Sequence, residues 1–460
     1  MITYPIIRMV MGEGHELVFS GEQVISATLV EEVNPISVEL PISTLDFVIL
    51  SYDDTFSMFS GSYYNLLSQR LPITVHERLY DDTGLYEDRF LGKYYLEEWK
   101  NESEYEYSFK AIDSIGLLAA TNYDGGFWSA PTPLETIIGV ILSDSGVDYS
   151  IDASIRSREL KGWIPSGDCR KALQQVCFAA RAMASSTRND YLSIVPIPLI
   201  TSPIIIGELD EVISLGDEQK LIAQTVELQP TVTSIELISH EYSQGTELED
   251  VFDEWLEAGS HKIIFSKPYY EVIVDGPGYT PSALGTEGGD YIVTEGGDYI
   301  EVGGEYLFGP NALYLELLEG GQVTVTGYPW VDSKKSFTFR ETGEFIHKND
   351  LVISDATMVS SGIAQNVLDR ARDYYRQLYT QNIKLLPSKV KPGLLVTSTT
   401  LFNKVLFAAV QKTSVDLSGG FITDTDIRGL ELIIIWAVRK PRTGVAVTGA
   451  SITRQDGFRS

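Results

Sequence analysis

The sequence predicts an α+β fold that is mainly β, and three observations carry that reading. Apolar and polar residues alternate with period two over most of the chain, short turn-forming clusters break the alternation, and only three stretches switch to helical spacing. The 460 residues exceed one compact core, so about two to four domains are expected. Apolar residues make up 43% of the chain, with 25 Tyr and 18 Phe, against 22% charged. That balance suits a folded, strand-rich protein and not a disordered one.

Residues 1–112 are almost wholly strand-like. Ile36–Ile42, Leu71–Arg78 and Lys93–Trp99 mostly alternate apolar and polar positions. Gly12-Glu-Gly14 and the Tyr-Asp-Asp-Thr tetrads at Tyr52 and Tyr80 supply turns, and many short antiparallel strands at this spacing predict a small barrel or sandwich. The period then changes. Thr132-Pro-Leu-Glu135 reads as a capping box with Pro at the first helical position, Ile137, Ile138, Ile141 and Leu142 share one face, and Gly146 stops the helix. A second helix starts near Asp168, its candidate N-cap, with Leu173, Val176, Cys177, Ala180 and Ala184 at helical spacing. Asn189-Asp190 then turns the chain into the strand Tyr191–Val195, so 113–200 read as a small α/β unit.

Strands resume over 201–240, at Pro203–Gly207 and Ser234–Ser239. Thr286-Glu-Gly-Gly-Asp-Tyr-Ile-Val is then repeated from Thr294 and echoed at Gly303-Gly-Glu-Tyr-Leu. Eight residues are too few for a repeating supersecondary unit, so the repeat reads as successive hairpin strands or a β-rich surface loop. Residues 241–305 hold fifteen acidic and two basic side chains, nearly half of the chain's net charge of −29. A third helix is expected over 356–379, with Ile363, Val367, Ala371, Tyr374 and Leu378 inward and Asp369, Arg370, Asp373 and Arg376 outward. Strands follow from Ile383 to Val438, broken at Lys391-Pro-Gly393 and Ser418-Gly-Gly420. The polar last twenty residues, with Arg442, Arg454 and Arg459, read as an exposed arm.

Function classes narrow by exclusion. Phosphate neutralisation supplies most of the affinity for nucleic acid, and no basic stripe is present to provide it. The N-terminus lacks a basic region before an apolar core and no apolar run reaches 18 residues, so the product is expected to be made in the cytoplasm and not secreted by the general route. Cys169 and Cys177 lie eight residues apart on one expected helix, about 12 Å along its axis, too far for a disulfide. Both read as buried thiols, Cys169 being the one placed at a helix N-terminus where a thiol gains reactivity. His15, His76, His240, His261 and His347 are scattered without metal-ligand spacing, and GxSxG, P-loop and GxGxxG patterns are absent. Asp424-Thr-Asp426 resembles part of a Ca²⁺ loop but lacks its Gly and Glu, and reads as a turn. No catalytic, cofactor-binding or metal-ligating residue is assigned, no cofactor is expected, and the chain reads as a non-enzyme.

Several phrases, taken in order, carry a resemblance: Leu91–Trp99 leading to Ala111–Leu118, Cys169–Val176 followed by Asn189–Pro196, Asn349–Ile353 before the long helix, then Lys391–Gly393 and Asp416–Gly420. The chain resembles the baseplate hub and tail-tip proteins of phage tails. The resemblance implies two small antiparallel β-barrel hub domains with α/β outer domains. Residues 1–112 would form the first barrel and 113–200 a small α/β domain. A second barrel would be split between 201–240 and 380–440, around an inserted outer domain at 241–379, with 441–460 as a C-terminal arm. It further implies a structural virion protein at the tail tip or baseplate, assembled in the host cytoplasm. Three copies would form a ring that adapts a sixfold tail tube to a threefold spike or fibre around a DNA exit channel. Expected partners are the chain itself as a homotrimer, the tail tube or distal tail protein, the tape-measure protein and the spike or central fibre. Genomic DNA would pass without specific binding, and no stable membrane insertion is expected. The Gly-Gly-Asp-Tyr repeat is not part of the family pattern. A cell-wall or polysaccharide hydrolase, or an adhesin that binds carbohydrate through its Tyr and Trp residues, would be the alternatives.

Overall fold

A computed structural model of the chain describes residues 2–11, 15–52, 54–57, 61–63, 66–80, 83–197, 200, 212–216, 219–277, 306–386, 389–400 and 404–432. The turn at Gly12–Gly14, the strand expected at Pro203–Gly207, the repeat from Thr286 and the 441–460 arm lie outside the described residues. The fold is α+β and mainly β. Its helices, among the described residues, are α1 (Ser114–Ala119), α2 (Leu134–Leu142), α3 (Cys169–Ala180) and α4 (Ser361–Tyr375).

One 13-stranded sheet takes strands from both ends of the sequence. From the N-terminal part come Ile2–Val10, Glu16–Ser20, Val24–Glu32, Thr44–Leu50, Pro72–Tyr80, Tyr86–Asn101 and Glu106–Ile112. From the later part come Ile213–Leu215, Lys220–Leu228, Tyr379–Leu385, Leu395–Thr399, Val405–Asp416 and Ile422–Glu431. The two sets join where Val405–Asp416 pairs antiparallel with Val24–Glu32, from Lys412 opposite Glu32 to Asp416 opposite Thr28. Period-two patterning explains the core beneath it. In Pro72–Tyr80 the residues Ile73, Val75 and Glu77 are buried, while their neighbours are partly exposed. Phe47 and Phe109 stack at 5.0 Å in the N-terminal core, and Val415, Leu417 and Phe421 of the later part pack into that same core. A smaller core of Leu215, Ile383, Leu385, Val396, Val410 and Ile427 lies under the other half.

The helices and an outer sheet build a second core. The apolar faces of α2 and α3 meet α4 in one cluster that also takes Leu40 from the N-terminal part and Ile235 and Leu237 from an outer sheet. In that outer sheet Ser234–Gln244 pairs with the second half of the 20-residue strand Gly321–Arg340. Glu249–Leu256 and Tyr269–Asp275 flank the first half of the same strand.

Four local expectations are corrected. Ile36–Ile42 is not a strand. Its backbone carbonyls are satisfied by side chains instead, Val38 by the Gln174 amide at 2.6 Å and Leu40 by Arg170 Nε at 2.6 Å, while Leu40 is buried in the helical core. The capping box at Thr132 is not made either. Thr132 is held extended opposite Leu160. The first amides of α2 donate to main-chain carbonyls instead, Leu134 to Arg158 at 2.7 Å and Glu135 to Arg156 at 3.2 Å. Asp168 does cap α3, accepting from the Lys171 amide at 2.8 Å, but α3 ends at Arg181, whose φ is +55°, and Ala184 lies in the strand Ala182–Ser185. Helix α4 is shorter than 356–379, and Arg370 is buried, not outward.

Candidate functional site: a charged junction and two open sheet edges

The join between the two strand sets carries charge where apolar packing would be the default. Glu31, on Val24–Glu32, is fully buried. Arg188 reaches it from the loop after Ala182–Ser185, with a φ of +57° that turns the residue toward the sheet. Its Nε donates to Glu31 Oε1 and Oε2 at 3.1 and 3.2 Å, and its Nη2 to Oε2 at 3.1 Å. Thr413, on Val405–Asp416, adds its hydroxyl to Oε2 at 3.0 Å. One carboxylate thus ties together the N-terminal strands, the α/β unit and the later strands. The same loop is pinned a second time, because Ser186 Oγ donates to Asp113 at 2.8 Å while Asp113 caps α1 through the Gly116 amide at 3.0 Å.

Neighbouring groups report how dry this junction is. Burial raises the Tyr94 phenol well above its usual range, with Glu31 and Asp113 adding to the effect. Burial raises the Glu77 carboxyl as well, although Arg89 pairs with it. Lys391 is pushed down by burial and then by the Arg188 cation. Arg188 itself is raised: burial opposes its charge, but attraction to Glu31 and the hydrogen bonds between them prevail.

Along its main path the joined sheet runs from Glu16–Ser20 to Lys220–Leu228, with Ile213–Leu215 ending a branch, and no described strand lies beyond Glu16–Ser20 or beyond the Thr225–Leu228 stretch. Ladder alternation shows which groups point outward. Met11 N donates to the His15 carbonyl, so Leu17 and Phe19 bond inward to Ile2–Val10 while Glu16 and Val18 turn their amides away from the sheet. Gln229 N donates to the Leu378 carbonyl, so Val226 and Leu228 do the same at the other end. Val18 is 44% exposed and Leu228 67%. Such edges are templates for a strand of another chain.

The remaining singled-out residues are placed as follows. Cys169 and Cys177 are buried free thiols. Burial raises the thiol of Cys169, which donates to the Ile141 carbonyl at 3.4 Å, and pushes that of Cys177 up to about 12, opposite in direction to the lowering that a helix N-terminus gives a thiol. His76 sits against Phe90, His240 between Asp332 at 2.8 Å and the Ser354 carbonyl at 3.1 Å, and His261 against the Glu257 carbonyl at 2.7 Å. Asp424 and Asp426 are not in a turn but in the strand Ile422–Glu431, where Asp426 accepts from the Asn382 amide at 2.8 Å. Trp99 packs against the N-terminal core. Among the described residues no group of three or more His, Cys, Asp or Glu is placed to hold a metal ion, and no helix is long and apolar enough to cross a membrane.

No family model matches the chain, and no curated protein matches it. Solved structures do. The tail protein from Neisseria meningitidis MC58 aligns with a TM-score of 0.50 at 10% identity, covering 92% of this chain and 96% of its own. The 43 kDa tail protein of prophage MuSo2 from Shewanella oneidensis aligns with a TM-score of 0.46 at 9% identity, over 92% of this chain and 97% of its own. A prophage tail protein from Listeria monocytogenes EGD-e gives 0.45 at 8% identity, over 93% and 94%. At such identities the likeness is one of fold, and the first of the three carries it across nearly the whole of both chains. The chain therefore shares the fold of a tail protein, as the resemblance in its sequence implied.

Proposed function

We propose that the chain is a structural, non-enzymatic virion protein, the trimeric central hub of a tail tip or baseplate. The observation that carries this reading is the joined sheet, in which two β-rich sets lie edge to edge, are locked by a buried ion pair, and end, among the described residues, on an outward-facing strand at each end of the main path. A sixfold tube and a threefold spike share one contact surface only if each subunit offers two similar faces. The two strand sets supply that duplication, and head-to-tail contact of the free edges closes a ring of three. In this reading 1–112 is the first hub domain and 201–240 with 380–440 the second, except that Ser234–His240 runs in the outer sheet. Residues 113–200 and 241–379 are outer domains, and the 441–460 arm meets the next tail component. The tail tube or distal tail protein and the tape-measure protein lie above the ring, and the spike or fibre below. Genomic DNA passes through a lumen poor in Lys and Arg, since a basic lining would hold it. A reconstruction of the assembled tail is expected to show three copies in one ring around an open centre. Six copies, a single axial copy or a closed centre would overturn the proposal.

The acidic insertion gives a second test. Gly-rich repeats bury little apolar area, and fifteen acidic side chains over 241–305 would be costly at a packed interface. Deleting 286–301 is expected to leave soluble protein that still assembles into tails, read by sedimentation and electron microscopy. Insoluble product would place the repeat in the core.

A further inference from the structure

Residues 249–277 and 306–327 form a module inserted into the outer sheet. The chain enters it from Ser234–Gln244 and leaves it along the first half of Gly321–Arg340. Glu249–Leu256 and Tyr269–Asp275 flank that half, while Gly259–Ile264, Ala312–Leu317 and Tyr306–Gly309 pair in a second sheet. Phe265, Val272, Leu313, Leu315, Val323 and Val325 give the module a core of its own, and among the described residues that core shares no member with the helical core. The two crossings into the module lie side by side. Gln244 stands opposite Trp330, and the Gly245 amide donates to the Pro329 carbonyl at 2.9 Å. A β-carbon on Gly245 would lie 2.9 Å from the Pro329 carbonyl oxygen, and one on Gly327 would lie 2.8 Å from the Tyr269 ring. Pro329 offers no amide to the ladder. Two strands with a Gly in each and a Pro in one make a narrow connection that twists easily.

The module's contact with the α/β unit is polar. Asp124 accepts from Lys262 and Tyr314, and Asn311 accepts from the Trp163 indole while donating to the Ile164 carbonyl at 3.3 Å. The Asp124 side chain is 50% exposed and that of Lys262 34%, so water competes for the pair. A small polar contact leaves relative motion as the default, since little buried apolar area holds one angle. We propose that the module swings as a rigid body about the Gln244–Gly245 and Gly327–Trp330 crossings, with Asp124 and Asn311 latching one angle against the α/β unit. At the pivot Tyr270 keeps its hold on the Gly245 carbonyl, to which its hydroxyl donates at 2.6 Å. The far end of the module, where Trp255 and Leu318 are exposed, travels furthest, so the latch sets where that apolar end points.

The test uses the full chain with spin labels on Glu159→Cys, in the α/β unit, and Glu257→Cys, at the module's far end. Both positions are exposed, whereas Cys169 and Cys177 are buried and take no label. Double electron–electron resonance on the otherwise unsubstituted chain is expected to give one main distance and a second population of about a tenth or less. Lys262→Ala and Asn311→Ala are each expected to raise the ratio of the second population to the first by about three- to ten-fold, the range that one lost ion pair or hydrogen bond supplies. Amide exchange at Leu313–Leu317 and Val323–Val325 is expected to stay unchanged in both variants, because the module turns whole. One unchanged distance distribution in all three proteins would overturn the proposal. Faster exchange throughout that core would do the same, since it reports local melting and not a swing. Lys262→Ala alters an exposed side chain, so the test stands even if Asn311→Ala does not fold.

Discussion

Replacing Arg188 by Met is expected to destabilise the chain by about 3–5 kcal/mol, since breaking a buried pair leaves its other member uncompensated. Glu31 is fully buried, and without Arg188 its remaining direct side-chain donor among the described residues is the Thr413 hydroxyl. Lys391, already pushed down by burial beside Arg188, is a nearby cation that recovers only part of the loss. The loss should appear first at the join, as faster amide exchange over Val24–Glu32 and Val405–Asp416, with slower change in the distant outer sheet. The double variant Arg188→Met with Glu31→Leu is expected to regain most of the stability, because an apolar pair of similar volume carries no charge into the dry interior. Urea unfolding of the three variants gives the comparison. A single-variant loss under about 1 kcal/mol would mean that water reaches the junction and that packing alone holds the two strand sets together.

Much of this architecture was legible in the sequence, and the reasons are physical. Period-two alternation marks Pro72–Tyr80 and Tyr86–Asn101 as strands because each buries one face. Asp168 announces α3 because a side-chain acceptor before an apolar-periodic run satisfies an orphan amide. The misreadings share one cause, which is that local pattern does not record what tertiary partners supply. Ile36–Ile42 alternates like a strand, yet amide and guanidinium donors from α3 take the place of a ladder. Thr132-Pro-Leu-Glu135 has a capping-box pattern, yet the turn that precedes Glu159–Ile164 already supplies the Arg156 and Arg158 carbonyls to the first amides. Arg370 follows the polar face of α4 by type, but the Pro35 loop folds over it. The junction itself gave no local signal. Glu31 and Arg188 stand 157 positions apart, and Glu31 and Thr413 are 382 apart. An acid on an otherwise apolar-facing strand position is the one trace that sequence could offer, and 64 acids dilute it.

Val18→Pro and Val226→Pro are each expected to abolish ring formation while leaving the subunit folded. The direction in which the amides point decides the effect. Val18 and Val226 occupy non-hydrogen-bonded positions of their own ladders, so proline there removes no bond to Ile2–Val10 or to Tyr379–Leu385. What it removes is a donor on the free edge, and its ring obstructs an approaching strand, the device by which natural edges avoid pairing. Losing one edge bond and its close approach corresponds to affinity weaker by about ten- to a hundred-fold. A ring that needs every edge contact to close amplifies that loss threefold around its circumference. Proline at the inward-bonded neighbours Leu17 or Glu227 serves as the contrast, because it breaks the subunit's own ladder and should lower the thermal midpoint. Tails produced with Val18→Pro or Val226→Pro in place of the parent chain, imaged by electron microscopy, are expected to lack a closed tip. Normal tips on both variants, with unchanged midpoints, would show that the ring closes through some surface other than these two edges.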